Sequence, residues 1–427
     1  MKLNLNRIIF REDLYPRFDV KQDYIQAYAN AINKLPPIKI SQQNILIDGY
    51  HRLKAHQLAK VEEIEVEVIE VKSEKELKKL AYQLNSTHGL QLSSDEKQRY
   101  AQEMIGEMDI PELAEILSVT EWTIANWTKN QREALEKERN RKIIELYLRA
   151  WNTQESVAKE MKVTQQTVSN IIGNFTKNRE ISEICKDFKP FLYNIWNLQK
   201  QDNTVNRFGQ FPQVFMENLL YYHTQPLDIV YDPFAGGGTT VDVCKKMFRR
   251  YYCTDREIIA GREKDIRQRE LNQGIPDDLP KPDLVFLDPP YSLLARGQYS
   301  TDKEDLGNME VNAFFQQFHS FISELLKKKW PVRVAYLIRP FWNINNGRWE
   351  WVDPMLEFYK LINRHYDIES RYVIPYSTQQ YSGLWVDRAK ENKKCLILNR
   401  ELTVFTKRKV AKEEEEEDKE EDKEEEA

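Results

Sequence analysis

The chain has 427 residues, which is long for one average domain and predicts two or three. Apolar residues make up 41% of it, but no apolar run approaches the length of a membrane span, so we expect no membrane partner. The N-terminus lacks the apolar stretch of a signal peptide, which favours a cytoplasmic protein. The four cysteines (Cys185, Cys244, Cys253 and Cys395) have neither metal-site nor disulfide-framework spacing, so we expect reduced thiols and no metal.

The net charge of −5 is unevenly distributed. The segment from Glu413 to Glu426 holds twelve acidic residues and two lysines, a net charge of −10 that leaves +5 on the other residues. An acidic run of this kind cannot build a core, so residues 409–427 are expected to form a disordered, solvating tail. The mildly basic remainder permits nucleic-acid binding without proving it.

The first region, residues 1–88, is predicted to be a small α+β domain. A short strand, a turn at Asp48-Gly49 and a helix follow one another. The segment from Ile64 to Val71 alternates apolar and charged residues, which is typical of a half-buried strand.

The second region, residues 89–185, is predicted to be all-α and contains an internal repeat with an offset of 44 residues. In each copy a small residue is followed by two apolar residues at intervals of five, as two helices packed across a tight turn require. The matching pairs are Ala114 with Ala158, Val119 with Val163, and Ile124 with Val168. A threonine after each turn can cap the second helix. Each copy therefore predicts a helix-turn-helix unit.

The second helix of each unit would expose short polar side chains that can reach base edges in the major groove. The predicted DNA-contacting residues are Thr120, Glu121, Thr123, Asn126, Thr164, Gln165, Gln166 and Ser169. A single copy could equally be an αα-hairpin that serves packing alone. Two copies in register favour double-stranded DNA as a partner.

The third region, residues 190–408, alternates strands and helices as an open α/β sheet does. Three of its short apolar strands end in an acidic residue, and ligands of such sheets bind at the carboxyl ends of strands. The predicted cofactor loop follows the first strand and opens a helix; its residues are Asp232, Pro233, Phe234, Ala235, Gly236, Gly238, Thr239 and Thr240. Asp255 ends the next strand, where a carboxylate can accept ribose hydroxyls. These features alone also fit dinucleotide binding.

A second motif, Asp288-Pro289-Pro290-Tyr291, ends a later strand of this region. The amino nitrogen of adenine or cytosine is a poor nucleophile because its lone pair is delocalised into the ring. A carboxylate and a rigidly held backbone carbonyl can accept hydrogen bonds from both N–H groups and favour a pyramidal, reactive nitrogen. The prolines fix the backbone, and the tyrosine offers a flat face to a base extruded from the duplex.

With these two motifs, residues 190–408 resemble the amino-methyltransferase family of DNA-modifying enzymes. The resemblance implies a Rossmann-like sheet, S-adenosylmethionine as cofactor, and direct methyl transfer to an exocyclic amine. It also implies that Phe211 and Pro212 belong to a segment that closes over the methionine end of the cofactor. Asp265 stands where the family has an acid that meets the cofactor's adenine, with a surface helix carboxylate as the alternative.

The cofactor loop precedes the catalytic motif, with no room between Thr240 and Asp288 for a large target-recognition insert. DNA specificity must therefore come from elsewhere. The candidates are residues 292–308, the Trp-rich stretch 342–351, residues 372–388 and the N-terminal domains. Asp at position 288 favours adenine N6 over cytosine N4, since the N4 group often carries Ser there. Cytosine C5 methylation is not expected, because none of the cysteines follows a proline as that chemistry's nucleophile does.

The N-terminal segment from Asp48 to Ala55, together with Asn85 to Gly89, resembles the ParB/sulfiredoxin-like superfamily. There, a Gly and an Arg hold a nucleotide phosphate at a helix N-terminus, so a nucleotide is a further candidate partner. Partition proteins usually have Gly-Glu-Arg-Arg where this chain has Gly49-Tyr50-His51-Arg52, which leaves CTP binding open. Sulfiredoxins have Cys where Tyr50 stands, so their activity is not expected.

The sequence thus predicts a site-specific DNA methyltransferase, with adenine N6 favoured and a homodimer left open. The alternatives are an N4-cytosine enzyme, a ParB-like DNA-binding regulator with an inactive methyltransferase domain, and an RNA amino-methyltransferase. The front end is similar to that of orphan methyltransferases of phages and prophages. No nuclease or translocase signature is present, so a self-contained restriction enzyme is not expected, although a restriction-modification partner stays open.

Overall fold

The structure is a computed structural model that describes residues 1–15, 17, 20–87, 92–177, 188–198, 211–290, 302–345, 348–375 and 381–408. The chain divides into two compact units, Met1–Asn140 and Arg141–Ala427. The predicted α/β class is confirmed, since a large, mostly parallel sheet is combined with many helices. The division falls inside the predicted helical region, and the predicted domain boundaries near residues 88 and 190 stay predictions.

The first unit contains a four-stranded sheet in the order β1-β4-β2-β3, with two helices between its strands and the others after them. Its strands are β1 (Lys2–Asn4), β2 (Ile38–Ser41), β3 (Leu46–Asp48) and β4 (Glu63–Ile69). Its helices are α1 (Gln22–Asn30), α2 (Tyr50–Leu58), α3 (Glu74–Thr87), α4 (Ser94–Met104), α5 (Ile110–Leu117) and α6 (Glu121–Trp127), and α7 (Lys129–Leu148) continues into the second unit. The predicted strand from Ile64 to Val71 is confirmed as β4, which ends two residues earlier.

The first predicted helix-turn-helix is formed by α5 and α6. Ser118 ends α5 in the left-handed conformation, with φ of 50°, and so makes the tight turn. Thr120 caps α6, because its side chain accepts a hydrogen bond from the Thr123 backbone N–H at 3.2 Å. Ala114 and Ile124 are buried in a core shared with α4, as the spacing predicted.

The second unit is built on a seven-stranded sheet in the order β12-β13-β9-β8-β5-β6-β7, with a separate hairpin of β10 and β11. Its strands are β5 (Ile229–Asp232), β6 (Arg250–Asp255), β7 (Ile266–Gln268), β8 (Leu284–Leu287), β9 (Arg333–Ile338), β10 (Phe341–Asn345), β11 (Arg348–Val352), β12 (Tyr366–Pro375) and β13 (Asn399–Lys407). Its helices are α8 (Gln154–Met161), α9 (Gln165–Lys177), α10 (Gln213–His223), α11 (Thr239–Met247), α12 (Val311–Lys329), α13 (Pro354–Ile362) and α14 (Gly383–Glu391).

Five neighbouring strands run parallel, in the order β7, β6, β5, β8 and β9, and β13 and β12 add an antiparallel edge beside β9. Every residue of β8 is buried because helices cover both faces of the sheet. Leu284 and Phe286 face one core, whereas Val285 and Leu287 face the other, which contains α12 and α13. The carboxyl ends of β5, β6 and β8 therefore meet at one edge.

The second predicted helix-turn-helix, α8 and α9, packs into the first of these cores. Lys162 makes its turn with φ of 54°, and Thr164 caps α9 by accepting from the Thr167 backbone N–H at 3.1 Å. Val168 is fully buried, and the Phe175 ring packs at a tilt against Phe248 at the end of α11, with ring centroids 4.4 Å apart. This unit is thus part of the same core as the sheet.

None of the helices in the described ranges is both long enough and apolar enough to cross a bilayer.

Candidate active site

A cavity of about 340 Å³ opens at the carboxyl ends of β5, β6 and β8. The predicted site residues in its lining are Phe211, Pro233, Phe234, Ala235, Gly236, Thr239, Asp255, Asp288 and Pro290. The two predicted motifs, separated by some fifty residues of sequence, therefore border one space. Tyr291 lies outside the described residues.

The loop after β5 is held by its own carboxylates. The Asp232 side chain is buried, and it accepts from the Phe234 backbone N–H at 2.9 Å and from the Thr240 hydroxyl at 2.5 Å. Burial raises the pKa of Asp232 to about 7, and the charges of Asp288 and Asp255 act in the same direction. Asp232 is thus a buried brace of the loop behind the cavity wall.

Asp255 ties the loop to β6. Its Oδ2 accepts from the Gly236 backbone N–H at 2.7 Å, and its Oδ1 accepts from the Glu257 N–H at 3.0 Å. Gly236 has φ of +49°, which other residues rarely adopt. The carboxylate predicted to accept ribose hydroxyls therefore also shapes the loop, and Glu257 adds a second carboxylate to the lining.

Gly238, whose predicted contact with the cofactor stays a prediction, is also constrained by its backbone. Its φ is +85°, and a Cβ there would lie 3.0 Å from the Arg262 Nε. Arg262 is itself paired with both oxygens of Asp242, at 2.6 and 2.7 Å. This glycine is required by the backbone and by the arginine beside it. It also precedes α11, whose N-terminus has no side-chain cap, and Thr239, the first residue of that helix, lines the cavity.

The structure does not bring Asp265 into the lining of the cavity. Its carboxylate accepts from Lys245 at 2.5 Å, Tyr251 at 2.7 Å and Arg149 at 3.2 Å. Burial opposes ionisation of Asp265, but the bonds from Lys245 and Tyr251 outweigh it and lower its pKa. Its predicted contact with the cofactor's adenine stays a prediction. Pro212, Asp232, Gly238, Thr240 and Pro289 also stand outside the lining.

Asp288 has a neighbour that the sequence did not indicate. Arg400, at the start of β13, places its Nη1 4.0 Å from Oδ2 of Asp288, and both side chains are largely buried. β13 joins the sheet antiparallel to β9. A strand more than a hundred residues later thus delivers a cation to the predicted catalytic carboxylate.

The lining also contains residues that sequence reasoning missed. They are Arg256, Glu257, Arg269, Glu270, Leu271 and Gln317, together with Glu304, Asp305 and Leu306 from the segment proposed for DNA specificity. Arg256 is paired with Asp302, and lies 3.6 Å from Glu270 and 3.7 Å from Asp305. Carboxylates outnumber cations in this cavity. This excess of negative charge could not be predicted from a single sequence motif, because the residues come from separate segments.

The predicted DNA-contacting residues lie on α6 and α9 or at their caps. Glu121, Asn126, Gln165 and Gln166 are exposed, whereas Thr123 and Ser169 are half-buried. The structure brings each set onto its own helix.

The first unit has a cavity of about 380 Å³ around the segment that resembles ParB. Gly49 has φ of +105°, and a Cβ there would lie 2.6 Å from Ile38. Arg52 donates to Asp48 at 2.7 Å and to the carbonyls of Pro36 and Pro37. The arginine predicted to meet a phosphate is thus already engaged, and nucleotide binding stays a prediction.

A family model for N6/N4 methyltransferases, described as DNA methylase, matches residues 73–260. The matched range contains the loop from Asp232 to Thr240 and Asp255, and it ends before Asp288. The match covers 188 of the 427 residues, which is less than half of the chain. No curated protein matches the chain.

Several solved structures are similar to parts of the chain. ParB from Caulobacter crescentus, complexed with CTP-gamma-S, is 15% identical over 30% of this chain and 76% of its own, with a TM-score of 0.19. TrmN from Thermus thermophilus is 15% identical over 47% of this chain and half of its own (50%), with a TM-score of 0.31. A Burkholderia thailandensis 1,6-didemethyltoxoflavin-N1-methyltransferase with bound S-adenosylhomocysteine is 12% identical over 56% of this chain and 87% of its own, with a TM-score of 0.29. Likenesses at these TM-scores carry no conclusion about activity.

Proposed function

We propose that this chain is a site-specific DNA methyltransferase that transfers a methyl group to an exocyclic base amine, with adenine N6 as the favoured acceptor. One observation carries the proposal: Asp288 and the glycine-rich loop line the same cavity. The family match supports the DNA amino-methyltransferase class, and it indicates S-adenosylmethionine as the cofactor.

The charge of the cavity fits that cofactor. Six carboxylates line it, against two arginines. One of these, Arg256, is already paired with acids. A net negative lining attracts a sulfonium cation and repels the pyrophosphate of a dinucleotide. The alternative of dinucleotide binding, which the glycine-rich loop alone leaves open, is therefore disfavoured.

Different residues of the lining can bind different parts of the cofactor. The N–H groups at the start of α11 can receive its carboxylate. Asp255 and Glu257 can accept the ribose hydroxyls, and Phe211 adds an apolar wall beside the loop. When bound, S-adenosylmethionine supplies an electrophilic methyl group.

Asp288 is the proposed acceptor for the target amine. Its carboxylate accepts a hydrogen bond from the amine N–H, which draws the nitrogen lone pair out of the ring and towards attack. Pro289 and Pro290 restrict the backbone so that a carbonyl can accept the second N–H. Tyr291 stays the predicted stacking partner of a flipped base.

The test is base-resolved methylation mapping of DNA from cells that express the wild type, Asp288→Ala or Asp277→Asn. Asp277 lies eleven residues before Asp288, is exposed and stands outside the cavity lining. Asp277→Asn is therefore the matched control. We expect N6-methyladenine at a defined sequence in the wild type and the control, and none with Asp288→Ala.

Three other outcomes would change the proposal. Marks on cytosine N4 would overturn the choice of adenine. Absence of any methylated amine in wild-type DNA would favour a ParB-like regulator with an inactive methyltransferase domain. Transfer of labelled methyl groups to tRNA or rRNA but not to DNA would indicate an RNA enzyme. A homodimer, a phage or prophage origin and a restriction-modification partner stay predictions.

A further inference from the structure

A partly exposed aromatic surface, in which Trp351 is exposed and the other rings are half-buried, stands on the second unit at the edge that carries Asp288. It consists of Trp342 from β10, Trp349 and Trp351 from β11, Trp385 from α14, and Lys394, and we call it the tryptophan surface. The indole rings contact one another edge to face, with centroids 5.0 Å apart for Trp342 and Trp351, and 6.0 Å apart for the pairs Trp342–Trp349 and Trp349–Trp385.

The strand register places these rings together. Trp342 pairs directly with Trp351, and Ile344 pairs with Trp349. Residues two apart on a strand share a face. One apolar face of the hairpin is therefore formed by Trp342, Ile344, Trp349 and Trp351. Trp351 is 50% exposed, and Ile344 is 37% exposed. Neighbouring apolar side chains that reach the surface together can mark a binding site.

The surface is fixed relative to the active site. β9 runs parallel to β8 and ends at Ile338, so the hairpin leaves the sheet at the same edge as Asp288. The Trp342 indole N–H donates to the Cys395 carbonyl at 2.9 Å. Five residues later, Arg400 reaches Asp288. The tryptophan surface and the active-site cavity are therefore joined through one short segment.

The charges around the rings favour a polyanion. The described residues of the hairpin, of α14 and of the turn after it carry five cations: Arg348, Arg388, Lys390, Lys393 and Lys394. They carry three carboxylates: Glu350, Asp387 and Glu391. Lys394 lies over the Trp342 ring with its Nζ 4.7 Å from the centroid. Arg388, Lys390 and Lys393 are exposed.

We propose that the tryptophan surface binds the DNA strand that flanks the target base, so that unpaired bases stack on the indoles while the neighbouring cations meet phosphates. Indole faces accept any base, and cations beside them follow the backbone, which is how single-stranded nucleic acid is bound. The inference rests on the proposed function, because a flipped target base leaves its neighbours partly unstacked. It gives the hairpin and α14 a role in holding the DNA beside the active site, and it leaves readout of the sequence to other segments.

The test compares Trp351→Ala and the double variant Arg388→Gln/Lys393→Gln with the wild type and with Tyr221→Ala. Tyr221 is an exposed aromatic residue of similar accessibility (48%) near the end of α10, which leads into the start of β5 at the opposite edge of the sheet. Binding is measured by fluorescence anisotropy with a labelled duplex containing the mapped methylation sequence and with a mixed-sequence duplex. Uptake of S-adenosylmethionine is measured by calorimetry.

We expect Trp351→Ala to raise the Kd for the mapped duplex by at least about fivefold, with unchanged uptake of S-adenosylmethionine. The double variant should weaken binding to both duplexes and reduce the salt slope of log K by about two. Tyr221→Ala should match the wild type. Trp351→Phe, which keeps an aromatic face, should fall between the wild type and Trp351→Ala, and the thermal midpoint checks that each variant is folded.

Wild-type Kd values in both Trp351→Ala and the double variant would overturn the inference. So would a change in sedimentation without a change in DNA binding, which would identify the surface as a contact between two copies of this chain. A wild type that takes up no S-adenosylmethionine and methylates nothing would instead end the proposed function, and the mixed-sequence duplex would still test the surface.

Discussion

Arg400 is the residue whose position says most about Asp288. Its Nη1 lies 4.0 Å from the carboxylate, and its side chain is only 11% exposed, so solvent screens this charge little. We propose that Arg400 is a positioning residue that keeps Asp288 aimed at the amine. Arg400→Met should lower kcat for methyl transfer about tenfold, equivalent to ~1.4 kcal/mol, because the carboxylate loses its orientation.

Arg400→Lys separates this role from a purely structural one. A lysine retains the charge and should recover part of kcat, whereas uptake of S-adenosylmethionine should be unchanged in both variants. Equal loss in Arg400→Lys and Arg400→Met, accompanied by a lower thermal midpoint, would mean that Arg400 serves only the packing of β13.

Asp232 provides a prediction about pH. Its ordinary pKa of 3.8 is raised to about 7 in the folded chain by burial. The folded state therefore holds a proton that the unfolded state has released, and stability falls as the pH rises from about 4 through about 7. Asp232→Asn removes this titration. Relative to the wild type, its free energy of unfolding should gain about 2–4 kcal/mol between pH 4 and pH 8.

Urea unfolding at several pH values measures the difference. Asp255 and Asp288 lie near Asp232 and are present in both proteins, so only the difference between the two curves is informative. Asp277→Asn, at an exposed site, should track the wild type at every pH. A constant difference between Asp232→Asn and the wild type would show that Asp232 is ionised throughout.

At the scale of elements, the two helix-turn-helix units belong to different cores. Ile124 of α6 is fully buried with α4 and α5 in the first unit, whereas Val168 of α9 is fully buried against the core of the large sheet. Ile124→Ala and Val168→Ala should each cost about 2–4 kcal/mol. Because S-adenosylmethionine stabilises only the unit that binds it, Val168→Ala should lower the unfolding transition that the ligand raises, whereas Ile124→Ala should lower a transition that does not respond to the ligand.

Differential scanning calorimetry with and without S-adenosylmethionine separates these effects. If Val168→Ala lowered the transition that does not respond to S-adenosylmethionine, the assignment of α9 to the second core would be contradicted.

The face of α9 that points away from the core carries the predicted DNA contacts. Gln165 and Gln166 are exposed, and Gln166 donates to the Asn170 side chain at 2.9 Å. If Gln166 reads a base edge, Gln166→Ala should cost about 1–3 kcal/mol of discrimination at one base position. Competition binding with duplexes altered at single positions measures this loss, with Lys159→Ala on α8 as the control. Uniform weakening on all duplexes would indicate a phosphate contact instead.

The sequence predicted elements well wherever the determining interactions are local. The turn positions and caps of both helix-turn-helix units, and the strands β5, β6 and β8, follow from spacing, capping and apolar runs. It did not predict which core α8 and α9 would join, because an amphipathic helix does not specify its partner. For the same reason Arg400 and the acidic lining from Glu304 and Asp305 were missed: their approach to the cavity depends on how distant strands pair.

At the scale of the whole molecule, charge is separated along the chain. The acidic run from Glu413 to Glu426 carries −10, against +5 on all other residues. Deleting this run should tighten binding to a mixed-sequence duplex at low salt and increase its salt dependence, because a competing polyanion is removed. The methylated sequence should stay the same. Salt titrations by anisotropy test this, and equal affinities with and without the run would show that it only aids solubility.

The contacts of β6 determine where the chain can be truncated without disturbing the large sheet. Arg250 donates to the carbonyls of Tyr147, Ala150 and Asn152, and the Ala150 backbone N–H donates to the Tyr251 carbonyl. A fragment that starts near residue 190 would lack these partners of β6. It would also expose to solvent the apolar side chains that α8 and α9 cover in the full chain. A fragment beginning before Arg141 should stay monodisperse in gel filtration, whereas the shorter one should precipitate. If recombination transfers the large sheet to another protein, the end of α7 together with α8 and α9 would have to be transferred with it.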